Sequence, residues 1–234
     1  MPKIPLIEDL TKDSVPPGTN ILVEFDPDAQ WYNASVTIAA GWMKTGGGVS
    51  YNVFAQPPDS IRAQFKRLGL NSEELEKTEQ LRIFDWYTAS LGQKSKERFA
   101  NDSLKVADLS IEFSKGVLAG PPITGRLRIS DNVSVLARFN DEKTWIEFGL
   151  TRGFPAARVR KSTAITGMMA GTHSEWAYKQ NESAVDGIVD FKLEDASNGE
   201  TIDVIRIRNL RNMNFTKGWH RLKIGENFEV TLDK

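Results

Sequence analysis

The sequence predicts an α/β fold, a three-layer sandwich whose central sheet is mostly parallel and gains antiparallel strands at its C-terminal edge. Two observations predict it. Short apolar runs alternate with stretches of helical spacing as far as residue 169, which is the pattern of strand–helix–strand units. Beyond that point four strand-like runs follow one another with little helix between them, as antiparallel neighbours do. No Pro-, Gly- or Ser-rich linker divides the two parts, so residues 1–234 are expected to form one domain.

Taken in order, residues 13–19 punctuate the chain with two prolines and a glycine, and residues 21–23 make a short buried strand. Trp31, Ala34, Ile38, Ala39 and Trp42 recur at helical spacing, and glycines 46–48 are expected to cap and turn that helix. Residues 49–54 form a second strand. Pro57 and Pro58 open a helix with an apolar stripe of Ile61, Phe65 and Leu68, stopped by Gly69. Residues 81–87 read as a third strand, and residues 88–102 as a polar, mobile segment, either a lid or contact surface or a surface loop with an anchored base. Ser103 caps a helix expected to reach residue 118. A strand at 127–129, a helix over 141–153 and a strand at 163–169 follow. Strands at 188–192, 202–208, 219–224 and 228–232 close the chain, the last two joined as a hairpin through residues 225–227.

Composition narrows the chemistry. Thirty Lys and Arg balance 31 Asp and Glu, so no global field draws the chain to nucleic acid or anionic lipid. It has no cysteine, which removes disulfides, thiolate metal sites and thiol nucleophiles. Only His173 and His220 could offer imidazole, too few for a multi-histidine centre, and Ser174-Glu175 beside His173 reads as a turn. No apolar run is long enough for a signal peptide or a membrane span, so a cytoplasmic location is expected.

The turn between the first strand and its helix carries the most information. A phosphate-binding loop at such a place reads GxxxxGK[ST]: glycines let backbone N–H groups converge on phosphate, the lysine neutralises charge, and the hydroxyl holds Mg²⁺. Here the turn runs Phe25-Asp26-Pro27-Asp28-Ala29-Gln30-Trp31-Tyr32. It holds no glycine and no lysine, and Asp26 and Asp28 would repel a triphosphate.

Five separated segments resemble the KaiC/RecA family in order, over roughly residues 4–232. They are residues 16–23 leading into the turn, residues 58–62 with 68–70, the strand ending in Leu127-Arg128-Ile129-Ser130-Asp131, residues 184–190 and residues 207–212. The resemblance implies a RecA-like fold. It also places Phe25 on the family's first loop glycine, Trp31 on its lysine and Tyr32 on its Mg²⁺-binding hydroxyl. Ala55 and Gln56 fall on its paired glutamates, Asp131 on its Walker B aspartate, and Asn209 and Arg211 on its Lys-x-Arg pair.

With lysine, glycines, base and second lysine replaced together, the expectation is a pseudo-ATPase that needs no cofactor. Bridging of Mg²⁺ by Asp26, Asp28 or Asp131 leaves weak nucleotide binding open. Trp31 and Tyr32 either fill the vacated site or line a pocket for a less charged ligand. Arg206, Arg208 and Arg211 suit a solvated face or a subunit interface better than a nucleic-acid contact, given the acids between them. The resemblance implies a prokaryotic, archaeal setting, with self-association, a protein partner and a role in signal transduction. A ligand-binding module at the altered turn and a recombinase-paralogue-like DNA accessory are the alternatives.

Overall fold

The computed structural model describes residues 3–109, 125–196 and 199–233. Its strands are β1 (Asn20–Phe25), β2 (Gly48–Val53), β3 (Leu81–Asp85), β4 (Phe99–Ala100), β5 (Arg126–Ser130), β6 (Thr163–Met169), β7 (Gly187–Asp195), β8 (Thr201–Leu210), β9 (His220–Ile224) and β10 (Val230–Leu232). They form one sheet in the order β10-β9-β8-β7-β1-β6-β5-β2-β3-β4. From β4 to β7 every pairing is parallel. The β7–β8, β8–β9 and β9–β10 pairings are antiparallel, which makes this edge the one expected from consecutive strands.

Seven helices are described: α1 (Trp31–Lys44), α2 (Pro58–Arg67), α3 (Ser72–Lys77), α4 (Tyr87–Ser90), α5 (Glu142–Phe148), α6 (Phe154–Val159) and α7 (Glu175–Ala184). A 3-10 turn spans Val133–Arg138, and the π-helical segment Gly149–Gly153 joins α5 to α6. The central strand β1 is buried on both sides, so successive residues serve two cores. Ile21, Val23 and Phe25 pack with Ile38 of α1, Tyr51 of β2 and Ile61 of α2. Leu22 packs the other way, with Phe54, Trp145 and Ile146 of α5, and Met168.

The punctuation read from the sequence works as physical chemistry. Gly46 sits at φ +87°, its N–H donates to the Met43 carbonyl at 2.9 Å, and the Gly47 N–H reaches Trp42 at 3.1 Å. These two bonds cap α1 as a Schellman motif, and Gly48 already belongs to β2.

Several local expectations change. Residues 88–102 are tied down: Asp85, 1% exposed, accepts from the Thr88 N–H at 3.0 Å and the Ser95 hydroxyl at 2.6 Å. Arg62 of α2 then clamps Glu76 of α3 and Glu97 of this segment, at 2.8 and 2.6 Å. One strand end thus holds a segment that composition alone painted as loose. Ser174 does not begin a turn; its hydroxyl accepts the Ala177 N–H at 3.2 Å and caps α7, which the sequence reading did not anticipate. Helices α3 and α4 were likewise unread. The helix expected over 141–153 is α-helical only to Phe148. Of the helix expected over 103–118, residues 103–105 are not helical, residues 106–109 are, and residues 110–118 lie outside the described residues.

Candidate functional site

The turn from β1 to α1 lies where a parallel α/β sheet presents its strand C-termini. Three of its backbone donors have protein partners. The Asp26 N–H donates to Phe191 O at 3.0 Å, Ala29 N–H to Asp26 O at 3.0 Å, and Gln30 N–H to the Asp203 carboxylate of β8 at 3.1 Å. The start of a helix attracts anions because its N–H groups lack intrahelical partners and its dipole is positive there. In this chain Asp203 supplies the anion at Gln30. Burial pushes the Asp203 carboxyl up, and the Gln30 N–H opposes that shift. Asp28 and Pro27 stand exposed at the tip.

Behind the turn, aromatic rings fill the space. Phe25 and Trp31 are fully buried, with ring centroids 6.1 Å apart; Phe25 meets Tyr32 edge-on at 5.5 Å, and Trp31 meets Phe191 at 5.4 Å. The Trp31 indole Nε1 donates to the main-chain carbonyl of Asp131 at 2.6 Å. The indole fits because residue 167 of β6 is glycine: a Cβ there would stand 2.4 Å from Trp31 Nε1 and 2.3 Å from Asp131 O. The Tyr32 hydroxyl accepts from Asn132 Nδ2 at 3.0 Å, and burial raises its pKa to about 12. Deeper in, Ser35 and Tyr51 share a hydroxyl–hydroxyl bond of 2.6 Å.

Asp131 is fully buried, and its carboxylate turns to the backbone. It accepts from Phe54 N–H at 2.8 Å and Ala55 N–H at 3.3 Å, fastening the end of β2 to the end of β5. Burial raises its pKa to about 7 against the pull of those N–H groups. Gln56 accepts from Gln64 of α2 at 3.0 Å. Among the described residues, neither Asp28 nor Gln56 hydrogen-bonds to the aromatic cluster, whereas Phe25, Trp31, Tyr32 and Asp131 converge.

A family model for the KaiC ATPase matches residues 4–232. The chain belongs to the KaiC ATPase family. No curated protein matches its sequence. Among solved structures, it is similar to the crystal structure of a KaiC-like protein from the hyperthermophilic archaeon Pyrococcus horikoshii OT3, with TM-score 0.73 and 15% identity over 100% of this chain and 97% of that one. That similarity shows the fold, and the mixed sheet described above is that of a KaiC-like, RecA-type domain.

In this KaiC-family chain the basic residues of β8 are engaged within the protein. Arg206 binds Asp190 at 2.6 Å and lies over the Trp219 ring at 4.2 Å. Arg208 reaches Glu24 at 2.7 Å and also pairs with Asp190 and Glu182. Burial lowers the Arg208 pKa, but hydrogen bonds to Asp190 and Glu24 outweigh it and leave the group raised. Arg211 is exposed and donates to Ser183 O at 2.8 Å.

Two features escaped the sequence. Asp203, one acid in a strand, gave no sign of its partner. His173 proves to join three segments: Nε2 lies 2.8 Å from Ser134 Oγ and Nδ1 lies 3.5 Å from Glu142. Burial lowers the His173 pKa, with Glu142 opposing. Ser134 Oγ also accepts the Met169 N–H at 2.9 Å, so the group fastens the end of β6 and the turn after it to the 3-10 turn that follows β5. Among the described residues no cluster of three or more His, Asp or Glu side chains is placed to hold a metal ion, and no helix is long and apolar enough to cross a membrane.

Proposed function

We propose that this domain works without hydrolysing ATP, as a regulatory or scaffolding module that acts through protein contacts and self-association in prokaryotic, archaeal, cytoplasmic signal transduction. The observation that carries the reading is the position of Trp31. It is fully buried in the first turn of α1 and hydrogen-bonded to Asp131 O, where a phosphate-binding helix would present lysine. The surroundings support it. Asp203 already answers an N–H of the turn, and Asp131 spends its carboxylate on Phe54 and Ala55. These residues do not suit a magnesium–triphosphate, which needs cations and free N–H groups.

The test is a titration of the full chain with Mg-ATP and Mg-ADP, followed by tryptophan emission, thermal shift and phosphate release. The expected result is no saturable change up to millimolar nucleotide, and background phosphate release that Asp131→Ala leaves unaltered. Saturable binding with phosphate release abolished by Asp131→Ala would reverse the reading. The nucleic-acid alternative draws no support from Arg206 and Arg208, whose guanidinium groups are already paired with carboxylates.

A further inference from the structure

The face of the sheet opposite α1 carries a cavity of about 110 Å³. Its floor is formed by β1, β2, β5 and β6, and α5, the π-helical Gly149–Gly153, α6 and α7 contribute to its roof. It plays no part in the reading of the β1–α1 turn.

Three features single it out. The lining is predominantly apolar and holds five aromatic rings: Phe54 and Trp86 stack at 5.6 Å and 4° between planes, and Trp145, Phe148 and Phe154 line it from α5 and α6. Asn52, Arg128, Ser130 and Thr166 lie on the sheet side, with Asn181 of α7 opposite. Ser130 and Thr166 are direct cross-strand neighbours on β5 and β6, and Arg128 lies two residues earlier on β5. Arg128 donates to Gly153 O at 2.8 Å, and burial brings its pKa down to about 10, which leaves it protonated at neutral pH. Arg128 can only donate and the two hydroxyls can donate as well as accept, so the three together suit an acceptor.

The roof supplies the third feature. Gly149 and Gly153 have ordinary helical backbone, φ −56° and −60°, where glycine costs about 1 kcal/mol against alanine. Neither is needed for close packing. A Cβ at Gly153 would meet nothing within 4 Å, and one at Gly149 only Asn181 Oδ1 at 3.9 Å. The two glycines keep the wall bare over the cavity, in a π-helical stretch of the kind found often at functional sites.

We propose that this cavity is a binding site for a small aromatic molecule bearing one oxygen acceptor. The ring lies among Phe54, Trp86 and the α5–α6 aromatics, and the acceptor meets Ser130, Thr166 and Arg128. A closed cavity of roughly 150 Å³ takes benzene; this one, at about 110 Å³ and partly open to solvent, sets a single ring with a short substituent as the limit.

The test uses the full chain and three probes: acetophenone (ring and acceptor), toluene (ring alone) and acetone (acceptor alone). Binding is read by saturation-transfer NMR, with intermolecular NOEs to the indole protons of Trp86 and Trp145. Acetophenone is expected to bind saturably, at least about tenfold tighter than either partial probe, with NOEs to both indoles. Thr166→Val should weaken acetophenone and leave toluene unchanged, and Gly153→Leu should abolish both by filling the space. No saturable acetophenone binding, or NOEs confined to other tryptophans, would overturn the site. Equal affinity for acetophenone and toluene would overturn its acceptor half. The NOE readout needs only the wild-type chain, so misfolding of either variant leaves the proposal testable.

Discussion

The indole of Trp31 and the backbone of Asp131 are joined by a single 2.6 Å hydrogen bond that ties the first turn of α1 to the end of β5. Both residues are fully buried, so this bond has no water to replace it. Trp31→Ala should therefore cost about 3–5 kcal/mol through the cavity it leaves. Trp31→Phe keeps most of the ring but strands the Asp131 carbonyl, and should cost about 1–3 kcal/mol. Urea denaturation of the two variants separates the contributions. Equal, small effects would mean that the indole is not a packing element.

Gly167 gives a second handle on the same contact. Its methyl-sized neighbour space is already occupied by Trp31 Nε1 and Asp131 O, and one of those is backbone. Gly167→Ala should cost about 1–3 kcal/mol by overpacking and shift the Trp31 environment, read as altered tryptophan emission. Unchanged stability and emission would contradict the close approach.

The fold was legible because its signals are local and redundant. Helix α1 announced itself through Trp31, Ala34, Ile38 and Trp42, and its end through the glycines that form the Schellman bonds. Strand β6 was read with its observed bounds, 163–169. The site was legible only in part. That the turn lacks lysine is visible in the chain itself, but what replaces the lysine's surroundings is long-range. Asp203 lies 173 residues from Gln30, and Ser134 lies 39 from His173. No periodicity encodes such pairs. Gly167 did carry a signal, since an isolated glycine within a strand marks close backbone approach, but its partner could not be named. Residues 88–102 misled because polar composition describes solubility, whereas order there comes from Asp85 and Arg62.

Asp131 should imprint a pH dependence. Its folded pKa lies near 7, and the unfolded value is about 3.9. Between these values the folded chain holds a proton that the unfolded chain has released. Raising pH through this window therefore lowers stability, and above about 7 the loss is complete. Comparison with Asp131→Asn isolates the effect from other groups. The stability of wild type minus that of Asp131→Asn should fall from pH 4.5 to 7 and stay level to pH 8.5, measured by urea midpoints. A flat difference would show that the carboxyl ionises as an ordinary aspartate, and a rising one that the folded chain favours its charged form; either contradicts the raised pKa.

The cluster on β8 yields the last expectation. Arg208 faces three carboxylates, Glu24, Asp190 and Glu182, and Arg206 shares Asp190. Asp190 and Glu24 have only 9% and 13% of their side chains exposed, so removing their cation leaves buried charge uncompensated. Arg208→Met should cost about 3 kcal/mol, near the low end for a buried pair because the guanidinium itself remains 33% exposed. The same geometry predicts the outcome with nucleic acid. A guanidinium held by carboxylates must break those pairs before it can take a phosphate, so it releases few counterions on binding. Gel shifts with single- and double-stranded DNA at low salt should show no retardation by the wild-type chain. Retardation that weakens steeply with salt and vanishes in a folded Arg208→Met variant would instead place DNA on this face.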